Sequence, residues 1–204
     1  MRIKDDCFKK EDKQRICLDL KELLAQPSDK QQRPCPGCRF TFGSEKSITS
    51  TENCSAKCEF VAGQMSSDPN KYPIESGVVS LVYALYTMRL MMPCWSCEGH
   101  MNKAQEIVKL PSIWFYSTSH FYPKLLAQYI DNLFAYKKIK TSWRISILAF
   151  SQSLFSTTYS LEPQVSLNED LDLADLQNDM NRIAKDMRFS MLRDTRSYLK
   201  RAGH

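Results

Sequence analysis

The chain has 204 residues, 43% of them hydrophobic and 25% charged, close to the average of a water-soluble globular protein. That length supports one domain, or one domain with a small appended module, and a sizeable core. A net charge of +5 permits a nucleic acid or another anionic partner without requiring one, and six glycines leave no glycine-rich phosphate cradle. No Walker loop and no Gly-x-Gly-x-x-Gly motif occurs.

The N-terminus, Met1 to Asp6, runs into charged sequence without an apolar segment. This argues against a secretory signal and for a cytoplasmic protein. Residues 1–34 form a polar helical segment in which Ile16, Leu18, Leu20, Leu23 and Leu24 give a partial apolar stripe. Pro27, Ser28 and Asp29 end it, and Lys30 to Arg33 make a solvated linker.

Residues 34–72 make a cysteine-rich module. Pro34-Cys35-Pro36-Gly37-Cys38 is a tight turn, and Cys54 to Cys58 could share one face of a short helix. The organisation expected is therefore an N-terminal helix plus metal-binding module over residues 1–72, then an α+β domain over residues 73–204. The most apolar run, Ser76 to Met88, is shorter than the roughly 20 residues a bilayer span needs. It predicts a buried helix over residues 74–92, stopped by Pro93, with no membrane association. A short helix is expected from Met101 to Val108.

Ile113 to Tyr116 is a short aromatic strand, and Phe121 to Tyr136 carries apolar residues at helical spacing. Trp143 to Phe150 and Leu154 to Leu161 are strand-like. This βαββ pattern predicts helices on one face of a mainly antiparallel sheet. Ser166 to Glu169 is a capping box opening a long C-terminal helix to residue 201. Its stripe of Leu173, Leu176, Met180, Ile183, Met187 and Met191 packs on the domain or serves a protein partner or self-association.

The chemistry lies in the cysteines. Eight of them in a reducing compartment do not argue for disulfides. Six form close pairs. Cys35-x2-Cys38 and Cys54-x3-Cys58 lie fifteen residues apart, which suits a tetrahedral zinc site in a ribbon-like module, because each pair chelates as a unit. An iron–sulfur cluster fits the same ligands less well. Cys94-x2-Cys97-x2-His100 supplies three more ligands, and Gly99 lets the segment bend so that all can face one ion. Candidates for a fourth ligand are Cys7, Cys17, His120, Glu98 or water. One or two zinc ions are expected.

A closed site makes zinc structural, in an interaction or regulatory protein. An open one makes a metalloenzyme, hydrolase or deaminase-like, with Glu98 or Glu75 as base. Pro93-Cys94-x2-Cys97 matches half of the nucleobase-deaminase signature, but the His-x-Glu half is missing. Redox dithiols are disfavoured, since neither Cys-x-x-Cys pair has a thioredoxin-like strand context. His120 sits at a strand-to-helix junction, where Ser119 is the expected cap. Residues 100–145 hold seven Lys or Arg against two acidic residues, with aromatics interleaved, so RNA or DNA is a further partner class.

Overall fold

The computed structural model describes residues 10–25, 74–150, 157–165 and 171–201. The cysteine module with Cys35, Cys38, Cys54 and Cys58 lies outside these residues, as do Cys7 and the capping box at Ser166 to Glu169.

The first helix, α1 (Lys10–Ala25), buries Leu20 and Leu23 and packs against the C-terminal helix. The second, α2 (Val79–Met88), is apolar on all sides and sits in the core, as such a composition requires. It ends earlier than expected. Arg89 adopts a left-handed backbone (φ 59°) and donates its N–H to the Tyr86 carbonyl, the geometry by which helices close. Leu90 to Met92 therefore leave the helix, and β1 (Met91–Cys97) follows. The expected helix over 74–92 is corrected accordingly. Pro93 lies inside a strand, which is tolerated because β1 is at the sheet edge and bulges between Pro93 and Trp95.

The expected helix from Met101 to Val108 is also replaced, by a small hairpin of β2 (His100–Met101) and β3 (Ile107–Lys109). The Asn102 side chain decides this. Its Oδ1 accepts from the N–H groups of Ala104 and Glu106, and its Nδ2 donates to Glu106 Oε2. Such local bonds offer the backbone an alternative to the helix.

Beyond the hairpin come β4 (Ser112–Ser117), α3 (Phe121–Ala135), β5 (Trp143–Phe150) and β6 (Thr157–Pro163). The chain closes with α4 (Leu173–Arg201). The four long strands form one antiparallel sheet in the order β1-β4-β6-β5. The βαββ order is present, with β6 inserted between β4 and β5 as in a split βαβ unit, and β1 adds an outer strand. Ser119 Oγ accepts from the Phe121 N–H at the start of α3. Asp172 Oδ1 accepts from the Ala174 N–H and opens α4.

Ile113, Phe115, Tyr159 and Leu161 point to one face of the sheet and are buried in the same core as α2, α3 and α4. Trp114 and Tyr116 alternate to the opposite face and are 37% and 43% exposed. Among the described residues no helix is long and apolar enough to cross a membrane.

Candidate metal centre

The centre sits where β1 runs out of the sheet. Cys97 is the last residue of β1, paired with Ser112. Gly99 then turns the chain at φ 86°, so that His100 starts the hairpin. A Cβ at Gly99 would come within 2.6 Å of Leu173 Cδ1 and 3.1 Å of the Pro111 nitrogen. Glycine is needed there for both backbone and space. The segment leading into α2 passes alongside and delivers Glu75.

Glu75, Cys97 and His100 bring three potential ligand atoms within 4.8 Å of one another. His100 Nε2 lies 3.2 Å from Glu75 Oε1. Two ligands on a tetrahedral zinc, each bonded at about 2.0–2.1 Å, would stand about 3.3 Å apart, so the nitrogen and the oxygen already fit one ion. Thiolate, imidazole and carboxylate together suit zinc, a borderline-soft cation.

The carboxylate is oriented by its surroundings. Glu75 Oε2 accepts the Glu98 N–H at 2.7 Å, leaving Oε1 for the site. Glu98 in turn accepts the Gly77 N–H through Oε2 at 2.6 Å, and its carbonyl accepts from Gln177 Nε2 of α4. A Cβ at Gly77 would fall 2.8 Å from Glu98 Oε2, so that the carboxylate would have to shift away from its bond. Bonds of this kind, behind the ligands, fix their direction.

Burial pushes the Cys97 thiol above its ordinary value; a hydrogen bond from the Gly99 backbone lowers it, the Glu75 charge raises it and Lys109 lowers it. Cys97 is 2% exposed. The thiol is thus protonated at neutral pH without a metal, and a cation must displace its proton.

The structure brings together two of the three residues of the Cys94-x2-Cys97-x2-His100 motif. Cys94 lies at the bulge and its thiol hydrogen-bonds with Tyr116; it is outside the group that converges on Glu75. Burial raises its thiol too, and the Tyr116 bond lowers it. Of the expected fourth ligands, Glu98 has its carboxylate on the Gly77 N–H. His120 uses Nδ1 on the Tyr159 hydroxyl. Cys17 is on α1 and is not in the group. Glu75 supplies the potential ligand atom that spacing did not announce. It stands more than twenty positions before Cys97, and only its place at the entry of an apolar helix marked it.

No protein-family model matches the chain, and the comparisons with curated proteins and with solved structures likewise give no match.

Proposed function

We propose that the protein binds zinc through Glu75, Cys97 and His100, and that the ion acts as a structural staple in an interaction or regulatory protein of the cytoplasm. The observation that carries this reading is the convergence of three chemically suitable ligand atoms from two chain segments. A zinc there would tie the entry of α2 to the end of β1 and the start of the hairpin. The four cysteines at 35, 38, 54 and 58 keep their reading as a second, ribbon-like zinc site.

A catalytic zinc is the rival reading, because three protein ligands leave a fourth position for water. It is the weaker one. Glu75 would be used as a ligand, and the backbone holds Glu98 by one of its two oxygens.

The test is zinc content of the purified full chain, with and without Cys97→Ser and Glu75→Gln, together with melting before and after a chelator. The wild type should hold one equivalent more than either variant, and chelation should lower its Tm. Equal zinc content in wild type and variants, or a wild type that binds none, would refute the site.

A further inference from the structure

We propose that the outward face of α4 binds the phosphate backbone of a nucleic-acid duplex through a row of cations from Arg182 to Lys200. This goes beyond the zinc reading and does not depend on it.

The net positive charge of the chain is concentrated on this part of one helix. Residues 182–201 hold seven Lys or Arg against two Asp, a net +5. The whole chain also carries +5, so everything outside these twenty residues sums to zero. Both aspartates are counted in full, including Asp194, which pairs with Arg193 at 3.0 Å. The neighbouring helices add no cancelling charge. α1 holds four cations and four carboxylates, α3 holds Lys124 against Asp131, and α2 has no charged residue. Complementing the helix dipole accounts for cations in the last turn. It does not account for Arg182 to Arg196, which lie before that turn.

The cations share a face. Arg182, Lys185, Phe189, Arg193, Arg196 and Lys200 recur at steps of three and four, the spacing that brings side chains to one side of a helix. Arg182 is half-buried and the other five are exposed. Ile183, Met187, Met191 and Thr195 take the opposite side and are buried. Among the described residues Lys185, Arg196 and Lys200 have no carboxylate partner.

The composition of the face selects its occupant. Five of the eleven arginines of the chain fall within these twenty residues, and the guanidinium fork grips a phosphate by two parallel hydrogen bonds. Phe189, 68% exposed, is the one exposed large apolar side chain on α4, because the core takes the rest of the apolar stripe. The face therefore lacks the apolar centre of a protein interface. It also lacks the apolar area with which an interfacial helix enters a bilayer. A nucleic-acid backbone requires neither, since charge binds it through release of condensed counterions. From Arg182 to Lys200 the row runs about 27 Å at 1.5 Å per residue. A duplex offers phosphates at fixed spacing over the same length, about eight steps of 3.4 Å.

The test is fluorescence anisotropy of the full chain with a labelled random-sequence DNA duplex of about twenty base pairs, at about 50–200 mM salt. Contact with four or five phosphates should make the affinity fall roughly 100- to 500-fold across that range. The double variant Lys185→Gln/Arg196→Gln changes two exposed side chains and should melt like the wild type. It should bind more weakly and flatten the log–log salt slope by about two. Lys137→Gln/Lys138→Gln removes two charges elsewhere and should leave binding within about twofold of the wild type. Vesicles containing phosphatidylserine should bind more weakly than the duplex at equal phosphate, and polyglutamate should not displace the duplex at equal charge. The proposal is overturned by an absence of binding at low salt, or by an unchanged salt slope in the folded Lys185/Arg196 variant. An equal loss in the Lys137/Lys138 variant also overturns it, as do vesicles that bind as tightly as the duplex or displacement by polyglutamate.

Discussion

Gly99→Ala tests the construction of the centre at its tightest point. Gly99 holds φ at 86°, and an added Cβ would stand 2.6 Å from Leu173 Cδ1, 3.0 Å from Pro111 Cδ and 3.1 Å from the Pro111 nitrogen. Placing an alanine in the left-handed region costs about 1–2 kcal/mol. Leu173 can swing its terminal methyl aside, but the Pro111 backbone cannot yield without moving β4, and overpacking of this kind costs about 1–3 kcal/mol. The sum is on the order of 2–5 kcal/mol. For a chain of this size that lowers Tm by roughly 4–20 °C, at about 2–4 °C per kcal/mol. Because Gly99 separates Cys97 from His100, the same shift misaligns two of the three converging groups and should weaken the proposed zinc binding. Urea unfolding of the metal-free variant measures the first effect, and zinc titration measures the second. A variant that unfolds within about 0.5 kcal/mol of the wild type, the range of an ordinary surface substitution, would show that the turn does not need glycine and that the geometry of the centre is wrong.

Other sites give independent expectations. The buried Asp179 accepts the N–H groups of Lys140 and Thr141 at 2.9 and 2.8 Å, tying the connection before β5 to α4. Asp179→Ala strands both donors and should cost about 2–4 kcal/mol in denaturant unfolding; a loss below about 1 kcal/mol would contradict the anchoring role. Thr195 is fully buried and its hydroxyl has no hydrogen-bond partner among the described residues. Thr195→Val keeps the shape and removes the unpaired group, so it should leave stability unchanged or raise it by about 1 kcal/mol, and a clear loss would reveal a bond to that hydroxyl. The phenols of Tyr122 and Tyr129 are pushed up, each mainly by burial, the first also by the hydrogen bond to Glu22 and the second by the Asp186 charge. A folded value above the unfolded one stabilises fully below the ordinary tyrosine range near 10 and is lost as pH rises beyond it. Phenolate absorbance should therefore show two tyrosines that ionise only with alkaline unfolding, and smooth titration of all nine tyrosines in the folded state would contradict it.

Much of the architecture was legible in the pattern of apolar residues. The aromatic strand, the helix from Phe121 and the strand from Trp143 form where periodicity put them, because each buries one face and period reports burial. The long helix forms as well, although it is described only from Leu173. The apolar run before Pro93 misled for the same reason. Continuous apolar sequence is compatible with a buried helix and with a buried strand, and composition does not distinguish them. The left-handed turn at Arg89 and the pairing of Met91 with Ser117 decide it. The hairpin after His100 was hidden by helix-compatible residues, and Asn102 overrides them through bonds to its own neighbours.

The sequence alone also put Cys94, Cys97 and His100 near one another, since short spacings force proximity in any fold. It could not decide which of them converge. A strand alternates its side chains, and the bulge between Pro93 and Trp95 sets the phase that leaves Cys94 beside Tyr116 and Cys97 beside Ser112. Glu75 joins them only because α2 packs against β1 and α4, and the bonds from Glu98 to Glu75 and from Gly77 to Glu98 lock the two segments together. Local spacing could nominate the thiol and the imidazole. The carboxylate comes from a distant segment, and only tertiary packing places it beside them.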